Sequence, residues 1–139
     1  MADTFDHERL IVYQVSLEFV AEADAVARSL PTGRSYLVDQ LQRASSSIVL
    51  NTAEGAGELS AKENARFYRM AQRSATECAA LLDICRTLKL VDEQRTVPAR
   101  GMLLRIVSML IGLGRSITSA TQRESGTGRG KGTSTARCR

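Results

Sequence analysis

The sequence predicts an all-α fold, an up-and-down antiparallel four-helix bundle, on three observations. The first is composition. Of 139 residues 43% are apolar, 4% are aromatic, 2 are proline and none is tryptophan, a balance that favours helices over sheets. The second is periodicity. Apolar side chains recur at three- and four-residue intervals from Leu10 to Ile117, the repeat of a helix face. The third is punctuation. Pro31-Thr32-Gly33, Gly55-Ala56-Gly57 and the stretch Leu90–Thr96 cut the pattern into four segments. Short connections make consecutive helices antiparallel neighbours. The same pattern also allows two long hairpins that pair between chains. A chain of this length buries about 68% of its unfolded surface, so a core can form without disulfides or metals.

The first helix is expected over about Asp6–Ser29. It carries two apolar stripes, Leu10, Tyr13, Leu17, Val20 and Val15, Phe19, Ala23, Val26, Leu30. One stripe can meet the core of its own bundle, and the second, assigned to Val15, Phe19, Ala23 and Val26, calls for a wide core or another subunit. The second helix runs from about Ser35 to Gly55 or Gly57, with Leu37, Leu41, Ala44 and Ile48 on one face and Asn51 at its margin. The third opens with Ser60-Ala-Lys-Glu63, a capping box in which each side chain satisfies an end N–H. Phe67, Ala71, Ser74, Cys78, Leu81, Cys85 and Leu88 then form three heptads of seam. The fourth is expected over about Val97–Thr121, capped by Asp92 or Thr96, with Pro98 in its first turn and a seam of Leu103, Val107, Leu110, Gly114 and Ile117.

The bundle domain is therefore expected over residues 1–121 and a basic Gly/Ser/Thr-rich tail over 122–139. Residues 1–122 hold 14 Lys/Arg and 14 Asp/Glu, so the net charge of +4 comes from Arg123, Arg129, Lys131, Arg137 and Arg139 against Glu124. With almost no apolar side chains, this tail is expected to be disordered. It reads either as a basic arm for nucleic acid or as a solvated extension.

Several chemistries are excluded. The single histidine, His7, rules out zinc sites built on histidine pairs and the paired Glu-x-x-His sets of di-iron bundles. No phosphate-binding glycine loop is present, so neither a cofactor nor a catalytic site is expected. Cys78 and Cys85 stand seven residues apart in one helix, about 10.5 Å along its axis, too far to bridge. They read as small buried hydrophobes, and Cys138 as an exposed thiol in the tail. The acidic N-terminus lacks the apolar core of a secretory signal. The longest apolar runs, Met102–Leu104 and Met109–Ile111, suggest no membrane span. The expected compartment is the cytoplasm.

Two polar patterns remain. Arg43, Ser47, Asn51 and Glu54, spaced 4, 4 and 3, share one face of the second helix beside its apolar stripe. They read as a surface face, as an interface network, or as a site for a polar ligand. Ser74 and Glu77 on the third helix are the natural partners of Asn51 and Arg43 across the bundle. Lys62, Arg66, Arg69 and Arg73, spaced 4, 3 and 4, form a basic stripe on the third helix, open to nucleic-acid phosphates or partly neutralised by the i,i+4 pair Arg73–Glu77.

The segment Leu37-Val-Asp-Gln40-Leu41-Gln-Arg43-Ala44-Ser-Ser-Ser47-Ile48-Val-Leu-Asn51-Thr-Ala53-Glu54-Gly55 closely resembles the signature of the 23S rRNA-intervening sequence protein family. Phe67, Ala71, Ser74 and Glu77 resemble a second motif of that family, and the likeness covers about residues 5–120. Thr52 stands where isoleucine is usual, Arg73 where glycine is common, and Glu58 where a basic residue is usual. The resemblance implies an up-and-down bundle assembled into a closed homo-oligomeric ring, typically a pentamer, with no enzymatic activity. A related branch, the accessory variability determinant of diversity-generating retroelements, implies nucleic acid and a reverse transcriptase as partners.

The expected function is a non-enzymatic oligomeric scaffold that contacts the phosphate backbone of RNA or DNA through Lys62, Arg66, Arg69 and Arg73. Arg43, Ser47, Asn51, Glu54, Ser74 and Glu77 would then form a structural polar network. The alternative is a protein–protein interaction ring with no nucleic-acid role.

Overall fold

A computed structural model describes residues 3–127. A short 3-10 turn, Asp6–Arg9, precedes four helices: α1 (Ile11–Ser29), α2 (Ser35–Gly57), α3 (Ala61–Thr87) and α4 (Glu93–Thr127). There is no strand among the described residues. The connections 30–34, 58–60 and 88–92 are too short for anything but antiparallel neighbours. Each helix packs on the next. The α2–α3 junction is the largest, and α1 meets α4 across the smallest.

Local chemistry sets the boundaries. Leu10 adopts an extended conformation, so α1 starts at Ile11 rather than Asp6, and the residues before it form the 3-10 turn. Aromatic rings pin that turn: His7 stacks on Phe5 at 5.6 Å and meets the Tyr13 ring edge-on at 4.6 Å. At the start of α3, Ser60 Oγ accepts from Glu63 N–H. Only this half of the capping box forms, because the Glu63 carboxylate is turned to Arg66 at 2.9 Å. The α2–α3 turn is tied instead by Asn64, whose amide donates to the carbonyls of Gly55 and Glu58. At the end of α3, Leu90 N–H reaches Cys85 O and Lys89 N–H reaches Arg86 O. This paired closure puts Lys89 in the left-handed region, at φ 57.

α4 starts four residues before its expected position. Asp92 precedes it, and Thr96 lies inside the first turn with its hydroxyl on the Asp92 and Glu93 carbonyls. Pro98 therefore falls in the second turn, where the carbonyl of exposed Gln94 loses its helical donor. The helix also runs past Thr121 to Thr127, so the first residues of the expected tail are helical. The remainder of that tail, with Cys138, lies outside the described residues. By length and composition α4 is long and apolar enough to cross a membrane, its most apolar 18-residue stretch having a mean hydropathy of 1.4. Short apolar runs conceal this, because an isolated arginine ends a run without much lowering the average.

The core gathers Phe19, Ile48, Cys78, Ile106 and Leu110 with many small residues, among them Ala23, Ala44, Ala71, Ala75 and Ala99. Small side chains let the helices approach closely. The buried hydroxyls of Ser16 and Thr52 donate to carbonyls of their own helices, Val12 and Ile48, at 2.6 and 2.7 Å, which removes the cost of burying them. Two seam expectations need correction. Val15, Phe19, Ala23 and Val26 are at most 4% exposed, so the stripe expected to require another subunit is the one this chain covers itself. Leu10, Tyr13 and Val20 are half-buried and Leu17 is exposed. On α3, Tyr68, Ala75 and Leu82 are buried, while Phe67 and Ser74 are half-buried and Leu88 is exposed. A straight helix at 3.6 residues per turn drifts off a strict heptad over this length.

Candidate functional site

The polar stripe of α2 divides in two. Asn51 Nδ2 donates to the Ser47 carbonyl and to Ser47 Oγ, both at 2.9 Å. Across the helix junction, Ser74 Oγ donates to Ser47 Oγ at 2.9 Å. Ser47 thus joins α2 to α3, and Asn51 is held by its own helix rather than by Ser74. Arg43, Glu54 and Glu77 are exposed and form no ion pair among the described residues, so the expected partnership of Arg43 with Glu77 is not made within the chain. Arg43 and Glu54 instead border an open groove of about 560 Å³ along α2, floored by Ser47 and Asn51 and flanked by exposed Leu50.

Lys62, Arg66, Arg69 and Arg73 all lie exposed on α3, on the side away from core residues Ala71, Ala75 and Cys78. They are not equivalent. Arg66 is committed locally: Nε meets Glu63 Oε2 at 2.9 Å, and its guanidinium lies 4.6 Å over the Phe67 ring. Lys62, Arg69 and Arg73 have no ion-pair partner among the described residues, and the expected Arg73–Glu77 pair is not formed.

Sequence reasoning missed Arg115. This exposed α4 residue lines a groove of about 490 Å³ together with Arg69 of α3, between walls that include Tyr68, Gln72, Ile111 and Ser119. Arg69 also lines the adjoining groove of about 270 Å³, which Lys62 and Gln122 share. No local spacing links positions 69 and 115, and the only signal was that both belong to the outward faces of helices adjacent in the chain.

Other chemistry is sparse. Among the described residues no group of three His, Cys, Asp or Glu side chains could hold a metal. Burial, reinforced by the Glu77 charge, pushes the Cys78 thiol up to about 12, and burial also raises Cys85. Neither is a thiolate near neutral pH.

The sequence model of the family described as 23S rRNA-intervening sequence protein matches residues 8–112. Among solved structures, the fold is similar to a protein of unknown function from the S23 ribosomal protein family of Bacteroides thetaiotaomicron VPI-5482. The TM-score is 0.70 at 19% identity, covering 76% of this chain and 96% of that one. No curated protein matches the chain.

Proposed function

The chain belongs to the 23S rRNA-intervening sequence protein family, and from that premise we propose that it is a non-enzymatic, self-associating scaffold that holds the phosphate backbone of RNA against the outward face of α3. The observation that carries the reading is the set Lys62, Arg69 and Arg73, exposed on one rigid helix and unpaired among the described residues. Positive charge on an ordered surface binds phosphates by releasing their counterions. With 4% aromatic residues the chain offers few rings on which bases could stack, so binding is largely indifferent to sequence. Self-association multiplies the effect: a closed ring, a pentamer in the form proposed here, repeats the stripe and converts modest contacts into avidity. Support for association comes from α4, where Val97 and Leu104 are 62% and 61% exposed. The ring is proposed to act in the cytoplasm.

The test is fluorescence polarisation of labelled RNA with purified full-length protein across a salt series. A linear fall of log affinity with log salt, with a slope of about −2 for three contacts on a single strand, is expected. Failure to bind any RNA at low salt overturns the reading. The second reading, an interaction ring whose partner is a protein such as a reverse transcriptase, then stands. It is favoured by the equal numbers of acidic and basic residues in 1–122, 14 of each.

A further inference from the structure

We propose that the RNA backbone is gripped by a clamp between two helices, Arg69 of α3 and Arg115 of α4, rather than by the α3 stripe alone. The proposal rests on the phosphate-binding reading and makes it specific. The two arginines reach one groove from opposite walls, and neither has an ion-pair partner among the described residues. Two guanidinium forks facing a common space match the geometry of a phosphodiester, which offers acceptor oxygens to both sides. Gln72 and Ser119 line the same space and can add neutral donors. Tyr68 and Ile111 give it partly apolar walls, which strengthen charge–charge attraction relative to open water.

The groove has a direction. Lys62 sits seven residues before Arg69, about 10.5 Å along the α3 axis, and shares the adjoining groove with it. A strand lying along the α3–α4 junction would therefore meet Arg115 and Arg69 together and then Lys62. Arg66, bound to Glu63 and stacked on Phe67, contributes less, because it must break those contacts first.

Single substitutions in the full-length protein, tested with a fluorescein-labelled oligouridylate across a salt series, separate the clamp from the stripe. Arg69→Gln and Arg115→Gln should each weaken binding about tenfold and lower the salt slope by about 0.7. Arg66→Gln should change affinity less than about twofold. In the double variant the losses should be less than multiplicative, since a clamp is already lost with one arm. Arg115→Lys, which keeps the charge and loses the fork, should fall between Arg115→Gln and wild type. Thermal melting should be unchanged throughout, because these side chains are exposed. If wild-type protein binds and Arg115→Gln binds as tightly, the clamp is overturned and the α3 stripe stands. If Arg115→Lys binds no better than Arg115→Gln, the clamp is likewise overturned. If wild-type protein does not bind at low salt, the phosphate-binding reading falls, and the clamp with it.

Discussion

A methyl group added at Gly55 would lie 2.7 Å from Tyr68 Cε1 and 3.1 Å from Phe67 Cβ. The glycine is buried where α2 and α3 share their largest junction, so its lack of a side chain sets how closely the two helices approach. Tyr68 is itself buried, and its ring must shift to admit the methyl group. Gly55→Ala should cost about 1–3 kcal/mol, the penalty of overpacking a well-filled site. Gly57 is two residues on and faces open space, so Gly57→Ala should be neutral or stabilise by about 0.4–1 kcal/mol through the unfolded chain. Urea denaturation of the two variants checks both, and equal midpoints would contradict the packing argument.

At the scale of the element, α3 shows how one helix serves two environments. Its inner face buries Ala71, Ala75, Cys78, Leu82 and Cys85, and its outer face carries the cations. Burial holds both thiols protonated, with Cys78 raised from 9.0 to about 12. A thiol whose folded value is raised gives stability that is fully present below its unfolded value and is lost as pH climbs through the folded one. Stability should therefore be insensitive to these groups up to about pH 9 and decline between there and pH 12. Tyr68, also raised by burial, acts in the same alkaline direction. In a Cys138→Ser background, a thiol reagent at pH 8 should leave Cys78 and Cys85 unmodified until urea unfolds the chain. Rapid modification of the native protein would contradict their burial.

The whole molecule has an uneven outer surface. α4 spans 35 residues, about 52 Å at ~1.5 Å per residue, whereas α1 spans 19, about 28 Å. Residues 118–126 are all exposed, and Val97 and Leu104 stay uncovered nearer the start of α4. Those residues are the support for the proposed assembly, so Leu104→Glu should shift the mass in light scattering toward 15.1 kDa while the circular dichroism stays helical. A wild-type protein that is already monomeric would remove the ring from the proposal. Glu54→Ala probes the same question from α2. Glu54 is exposed and unpaired among the described residues, so the monomer should lose no more than about 0.5 kcal/mol. A larger loss that depends on protein concentration would place Glu54 against a second copy.

What the sequence alone determined was local. Three- and four-residue spacing, the breaks at Pro31-Thr32-Gly33 and Gly55-Ala56-Gly57, and the Ser60 cap are read by the backbone over one or two turns. The four helices and the outward stripe Lys62, Arg66, Arg69 and Arg73 were therefore legible. Choices between faces were not. Both stripes of α1 repeat correctly, and only its neighbours decide that Val15, Phe19, Ala23 and Val26 turn inward. Likewise Arg43 beside Glu77 is a sensible pair on paper, but the junction is closed by Ser47 and Ser74 and leaves both charges in solvent, where they keep their hydration. Arg115 meets Arg69 over a groove only because α3 and α4 pack in one particular register. Register is set by many core side chains acting together, so no single stretch of sequence encodes it.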